Sequence, residues 1–436
     1  MKVLKFGGET LNSATAIRDV AALVRKENKN IIVFSAFEGT TNTLIEIAES
    51  LYRKNPNEAN EIINQMENKY SNLVSELYST QEYRASADDL LKEHFGVIRS
   101  FTKDLFTSFE EKAILAQGEL ISTSLFHLLL TEQQSKVALI PALDFMRTDK
   151  NSEPDPVYIK EKLGKQLNLH SDADIYITQG YICRNAFGEI DNLERGGSDL
   201  TASLIGSAIH AEEIQIWTNI DGMQNCDPRY VEKTAPIRQL QFEEAAELAY
   251  FGVKILHPTC ILPAKLNNIP VRLLNTLHPD AQGTLISNQT EKGKIKAVAA
   301  KDGITAILIK SGRMLFAYGF LRKVFEIFEN YQTAIDMIAT SEVGVSITID
   351  RTKNLTEIVD NLKKYGTVTV DENMTIICVV GDLDWNNLGF ESKAVQALKD
   401  IPLRMISYGG SNYNISFLVH TEDKQRALQA LGNNLF

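Results

Sequence analysis

Cysteine, tryptophan, positive charge and long apolar runs are all in short supply here. The four cysteines, Cys183, Cys226, Cys260 and Cys378, stand far apart. They make neither a Cys-x-x-Cys metal pattern nor a disulfide framework, and a reducing compartment fits them. No stretch approaches the roughly 18 apolar residues of a membrane helix. The opening MKVLKFGGET breaks its short apolar run with Gly-Gly, so it does not read as a signal peptide, and a cytoplasmic protein with no membrane partner is expected. Lys and Arg number 45 against 56 Asp and Glu, a net charge of -11. That excludes nucleic-acid binding through a bulk basic surface, so any anionic ligand must be held by a local site. What is there is ordinary for a folded chain. The 436 residues are 44% hydrophobic and 23% charged, enough for about three domains.

The grammar is α/β at the start. KVLKF (2–6) reads as a short buried strand, followed by Gly7-Gly8 and a helix with apolar positions at Ile17, Val20, Ala21 and Val24. IIVFSA (31–36) is an uninterrupted apolar run of the kind found in parallel sheets, and EGTTN leads into a helix around Leu44–Leu51. Residues 57–130 carry almost no Gly or Pro and read as a helical elaboration flanking the site, a lid or subdomain. Strand-like runs return at 137–142, 174–182, 213–219 and 269–275, with helices at about 157–166, 199–210 and 242–250, and the chain turns polar at 284–296. The remainder holds two β-α-β-β-α units of roughly 65–70 residues, each entering its helix at a Gly, a diverged internal repeat.

Several short patterns carry chemistry. Lys5 at the end of a strand, followed by Gly7, Gly8 and a helix, suits a phosphate: glycines let backbone N–H groups approach, and the lysine adds a point charge. The sequence is not the G-x-x-x-x-G-K-[ST] loop, so a P-loop fold is not supported. Arg195-Gly196-Gly197-Ser198-Asp199 opens a helix with a guanidinium, free amides, a hydroxyl and a carboxylate, a set that suits a zwitterionic amino acid. WTNIDGMQNCDPRYV (217–231) is a turn-rich loop at a strand C-terminus, where α/β sheets bind ligands. Lys254 in FGVKILHP either snorkels or reaches a nucleotide phosphate. By themselves these patterns are also compatible with tight turns, a Ser198 N-cap and, for Glu119, an ordinary surface carboxylate.

Their order decides more than any one of them. Lys-Phe-Gly-Gly, Ser-Ala…Thr-Thr-Asn, Gln-Gly-Glu, Arg-Gly-Gly-Ser-Asp, Trp-Thr…Asp-Pro-Arg and Phe-Gly-x-Lys-x-Leu-His-Pro, then the paired units, resemble the aspartate kinases over the whole chain. The C-terminal third is similar to their monofunctional lysine-sensitive branch, which implies an enzyme with no homoserine dehydrogenase extension. The resemblance implies an amino-acid-kinase-type open α/β/α sandwich followed by two ferredoxin-like βαββαβ (ACT) domains. It assigns 1–288 to the catalytic domain, 303–366 to the first ACT domain, and 294–302 plus 367–436 to the second. It implies transfer of the ATP γ-phosphoryl to the side chain of L-aspartate, with Mg2+ bound mainly through ATP. Carried over by position, Lys5, Arg195 and Asp199 would be catalytic. Ser35, Thr41, Glu119, Arg195, Gly196, Gly197 and Ser198 would hold aspartate. Lys5, Gly7, Gly8, Thr218, Asn219, Gln224, Arg229 and Lys254 would hold ATP. Met314, Gly319, Phe320, Leu321, Asp336, Thr340, Ser341 and Glu342 would hold L-lysine as effector, Asp336 and Glu342 pairing with its two amines. A homodimer through the ACT domains is implied, or a tetramer with effector.

The chain departs from the family pattern in a few places. Glu9-Thr10 replaces Thr-Ser after Lys-Phe-Gly-Gly, Glu194 replaces Gly before Arg195, Asn219 replaces Asp, and Ala317 replaces Ser. These departures keep two other readings in play: a kinase of another small carboxylate, and a catalytically weakened amino-acid sensor.

Overall fold

A computed structural model describes residues 1–436 apart from 27, 28, 104, 194, 195, 252–257 and 313–317. The chain divides into two compact units, Met1–Met223 with Leu256–Asn288, and Gln224–Ile255 with Gln289–Phe436. The stretch Gln224–Ile255, expected with residues 1–288, thus groups with the C-terminal unit. The reason is apolar burial: Cys226 and Val231 lie in one core cluster with Ile377, Phe417 and Leu431.

The first unit begins as expected with β1 (Lys2–Phe6), α1 (Ala14–Val24), β2 (Asn30–Phe34) and α2 (Thr40–Tyr52). Ser13 caps α1 by accepting from Ala16 N. Then come α3 (Pro56–Leu77), α4 (Gln81–Ser100) and α5 (Ser108–Glu132). In α3, Asn55 is the N-cap with Pro56 in the first turn, and Ala59, Ile63, Met66, Tyr70, Val74 and Leu77 form its buried stripe. The helix α5 corrects two expectations. It is not part of a lid but a central helix, buried from Ala113 to Thr123 without a break except at Leu120. It is also long and apolar enough to cross a membrane by length and composition, yet 78% of the qualifying window is buried inside the protein. Its apolarity serves a core position, where neighbours surround the helix on all sides.

The chain continues through β3 (Val137–Leu139), α6 (Ala142–Phe145), α7 (Pro156–Leu169), β4 (Ile175–Gln179), β5 (Ile182–Arg184), β6 (Ile190–Asn192), α8 (Gly197–Ile209) and β7 (Ile214–Thr218). It passes β8 (Gln239–Gln241) and α9 (Phe242–Tyr250), which belong to the second unit, and returns as α10 (Pro258–Leu266), β9 (Val271–Asn275) and β10 (Thr284–Ser287). The strands of the first unit lie in the order β3-β4-β2-β1-β7-β9-β10. All neighbours are parallel except β9 and β10. Strands β2, β4 and β7 are buried at every residue, as strands covered on both faces must be. Helices α1 to α5 share one apolar cluster with β1 and β2, and α8 packs across β1, β2 and β7.

The second unit holds β11 (Ile295–Lys310), α11 (Phe320–Asn330), β12 (Ile338–Thr340), β13 (Gly344–Ile349), α12 (Leu355–Leu362), β14 (Thr367–Gly381), α13 (Phe390–Ala397), β15 (Met405–Tyr408), β16 (Asn414–His420) and α14 (Lys424–Leu435). Its strands form one sheet, β12-β13-β11-β14-β16-β15. The repeat is visible in the caps: Gly319 and Gly389 precede α11 and α13 with φ of 81° and 90°. The two modules share their long strands. Ile304–Lys310 of β11 pairs with the start of β14 and with β13, while Ile295–Lys301 pairs with the end of β14.

Candidate functional site

The carboxyl ends of β1 and β2 and the amino end of α8 meet at a cavity of about 250 Å³, lined by Lys5, Ser35, Thr41, Glu119, Tyr181, Gly196, Gly197, Ser198 and Asp199. Residues far apart in sequence are held there by direct bonds. The Lys5 ammonium sits 2.7 Å from Asp199 Oδ1, with both side chains largely buried. Ser35 Oγ donates to Ser198 Oγ at 2.9 Å, and Ser122 Oγ donates to the Ser35 carbonyl at 3.0 Å. Asp199 lies in the first turn of α8, where the helix dipole favours a carboxylate.

Glu119 is the least solvated of the charged groups lining the cavity, 3% exposed. Its Oε1 accepts from Ala36 N at 3.2 Å, and its Oε2 is buried without a partner. Burial pushes the carboxyl up to about 8, and the Ala36 N–H offsets only part of that. A buried carboxylate with one empty oxygen in a cavity is built for a cationic ligand. Gly118 explains how it gets there. A Cβ at that position would lie 2.9 Å from Ala36 Cβ, so only glycine lets α5 close on the loop that carries Ser35.

On the far wall, α2 divides its first two residues between two tasks. Thr40 Oγ1 bonds the Tyr70 hydroxyl of α3 at 2.7 Å, and Thr41 lines the cavity. Sequence reasoning missed Tyr181. The run at 174–182 reads as one strand, but the structure breaks it after Gln179, and Tyr181 takes a left-handed φ of 65° between β4 and β5. A non-glycine residue in that region at the rim of a cavity marks a functional constraint. Its phenol is pushed up to about 12, by burial first and then by the Glu119 charge. Beside it, a Cβ on Gly180 would fall 2.5 Å from Ser198 Oγ and 2.9 Å from Ser198 Cα. Gly180→Ala is therefore expected to displace the first turn of α8 and weaken ligand binding in the cavity at least about tenfold. A binding titration beside a thermal melt measures this, and wild-type affinity would remove Ser198 from the site.

The comparisons with known proteins agree along the whole chain. Residues 1–275 match the model of the amino acid kinase family, and residues 377–435 match an ACT domain model. Lysine-sensitive aspartokinase 3 of Escherichia coli is 33% identical over 100% of this chain and 99% of its own. The chain belongs to the aspartokinases, within the amino acid kinase family. Aspartokinase 1 of Arabidopsis thaliana, a chloroplastic protein, is likewise 33% identical over 100% of this chain and 80% of its own. In structure, E. coli aspartokinase III in complex with aspartate and ADP covers 100% of both chains with a TM-score of 0.85 at 32% identity. Its complex with lysine and aspartate covers 100% of this chain and 99% of that one, with a TM-score of 0.81 at 33% identity.

In this aspartokinase the remaining sequence candidates fall in different places. Gly7 and Gly8 start the short turn after β1, held by Thr10 N and Oγ1 donating to the Gly7 carbonyl. Glu9 is exposed, but its carboxyl carbon and the Lys5 ammonium both lie about 3.5 Å from the point a Gly7 Cβ would occupy (3.5 and 3.4 Å). The ammonium of Lys5 pairs with Asp199. Thr218 ends β7 with its hydroxyl turned onto Ile220, and Asn219 is exposed. Gln224 and Arg229 lie in the second unit, Gln224 bridged to Pro236 and Arg229 paired with Asp227 at 2.6 Å. Arg195 and Lys254, with Glu194, Met314 and Ala317, are outside the described residues. Of the effector candidates, Gly319 caps α11, Phe320 is buried beneath it and Leu321 is partly exposed. Thr340 ends β12, Ser341 N donates to the Gly344 carbonyl in the turn to β13, and Glu342 is exposed. Asp336 is the exception to this open setting: its side chain is 1% exposed and already holds Lys301 at 2.7 Å.

Proposed function

We propose that the chain is an aspartate kinase. It transfers the γ-phosphoryl of ATP to the side-chain carboxylate of L-aspartate, giving 4-phospho-L-aspartate and ADP, the first step toward lysine, threonine and methionine. One observation carries the reading: a buried carboxylate with an empty oxygen, Glu119, and a buried ammonium, Lys5, open on one small cavity. Glu119 takes the substrate ammonium, and Ser35, Thr41, Gly196, Gly197 and Ser198 line the rest of the acceptor site. Arg195, which precedes α8, is assigned the α-carboxylate. Lys5 neutralises charge on the transferring phosphoryl, with Gly7, Gly8, Thr218, Asn219, Gln224, Arg229 and Lys254 assigned to the nucleotide.

The acceptor carboxylate is ionised near neutral pH, so its oxygen attacks phosphorus without a general base, as the bond to the ADP oxygen breaks. Positioning and charge neutralisation then carry the rate. Among the described residues no group of His, Cys, Asp or Glu gathers as a metal cage. Asp199 offers a hard oxygen beside Lys5 that fits a Mg2+ carried in on the phosphates, and the ion would add charge neutralisation there. L-lysine is the effector, held by Gly319 to Leu321, Asp336 and Thr340 to Glu342 together with Met314. The working assembly is a homodimer through the ACT domains.

The test is ATP- and Mg2+-dependent phosphorylation of L-aspartate, trapped as the hydroxamate, with and without L-lysine. Turnover suppressed by lysine is expected. Turnover indifferent to lysine would remove the effector assignment, and no turnover with aspartate would remove the kinase assignment.

A further inference from the structure

The carboxylate assigned to the effector's amine is already occupied by an ammonium from the chain itself. Lys301, on β11, reaches Asp336 Oδ1 at 2.7 Å and Asp350 Oδ2 at 3.0 Å. The Tyr250 hydroxyl, at the end of α9, donates to the same Asp336 Oδ1 at 2.7 Å. The Lys301 ammonium also stands 4.4 Å from the centre of the Tyr250 ring. Burial alone would lower the Lys301 ammonium, but its bonds to Asp336 and Asp350 leave it raised. So the cluster combines one positive and two negative side chains, a net charge of −1. Its other Asp336 oxygen, Oδ2, is buried without a partner.

A buried carboxylate oxygen left unpaired in a cluster one positive charge short is a place for a second cation. Two ammoniums crowded on one carboxylate repel each other, however. Asp350 resolves the conflict, because it is already in contact with Lys301, is one-third exposed and has no other ion-pair partner among the described residues. We propose that effector binding is an ammonium exchange: the incoming side-chain ammonium of a basic amino acid takes Asp336, and Lys301 retreats onto Asp350. The number of ion pairs is conserved, so the exchange carries little electrostatic cost. Lys301 is then a tethered competitor that sets effector affinity, and Asp350 is the seat that lets it leave. Because Tyr250 shares the contested oxygen, the exchange is felt at the end of α9.

This inference rests on the assignment of L-lysine as effector. The experiment is isothermal titration of the full chain with L-lysine for wild type, Asp350→Asn, Lys301→Met and the double variant. Asp350→Asn leaves the Lys301–Asp336 pair intact and is expected to weaken lysine about tenfold. Lys301→Met is expected to tighten it about tenfold, and in that background Asp350→Asn is expected to change nothing further. Aspartate turnover without lysine is the folding control for Asp350→Asn and stays at the wild-type level. Wild type binding lysine while both single variants bind equally well would overturn the exchange and leave the effector assignment standing. Wild type and Lys301→Met both failing to bind would overturn the effector assignment and the exchange with it.

Discussion

Lys5→Met is expected to lower kcat by about a thousandfold, the scale of losing a preorganised positive group at a charged transition state. The same change costs stability for a separate reason. Lys5 and Asp199 form a pair with side chains only 12% and 10% exposed. Removing one partner strands the other charge, at a cost of about 3 kcal/mol. The two effects come apart in a double variant. Lys5→Met with Asp199→Asn removes the stranded charge, so most of the lost stability returns in a thermal melt. Turnover does not return with it. If the double variant regained turnover, Lys5 would be serving only to neutralise Asp199, and its place at the phosphoryl group would be wrong.

Glu119→Gln is expected to move binding and stability in opposite directions. In the folded chain the carboxyl titrates at about 8, against an ordinary value of 4.5. The folded state therefore keeps a proton that the unfolded chain releases between those two values. Stability is full below about pH 4.5, falls as pH rises through the window, and has lost its whole share above about pH 8. Glutamine never ionises and still accepts from Ala36 N, so the variant is expected to be more stable than wild type at pH 8, by roughly 2–4 kcal/mol. Substrate binding runs the other way. The carboxylate form is needed for the aspartate ammonium, so wild-type KM for aspartate falls as pH climbs from 6.5 to 8.5. The kcat/KM advantage of wild type over Glu119→Gln is expected to be about a hundredfold at pH 8.5, the worth of a charged hydrogen bond, and to shrink roughly twentyfold by pH 6.5 as the ionised fraction falls. A constant ratio across that range would mean that Glu119 acts without its charge.

Much of this was legible in the residues. Lys5, Ser35, Thr41, Glu119, Ser198 and Asp199 sit in patterns whose order along the chain belongs to one family, and the structure gathers them around one cavity. Strand ends beside Gly-rich turns are local features, and local features read well. Three things were not legible. Glu119 reads as a surface residue because its burial depends on α5 being central, which no periodicity within α5 announces; the helix is apolar nearly all round. Tyr181 hides inside an apolar run, since a break in a strand that comes from one left-handed residue leaves no compositional trace. At Asp336 it is the native partner that is hidden, because sequence order cannot show that Lys301, thirty-five positions earlier, reaches it. The grouping of Gln224–Ile255 with the C-terminal unit has the same origin: the buried contacts of Cys226 and Val231 are long-range.

The shared strands β11 and β14 make the two C-terminal modules unequal in the ways they can be edited. The inner module spans Ile304–Met374, its β11 half (Ile304–Lys310) pairing with Thr367–Met374, and the outer paired halves Ile295–Lys301 and Ile376–Gly381 enclose it like brackets around a clause. Excising it at the bulge near Lys301 and Ile304 leaves Ile295–Lys301 facing Ile376–Gly381, so a short turn could close the outer module around its own core. The reverse cut has no counterpart, because removing the outer module severs the chain on both sides of the inner one. Growth and pruning of regulation in such a chain therefore have a direction: the bracketed module is the removable one, and the brackets stay.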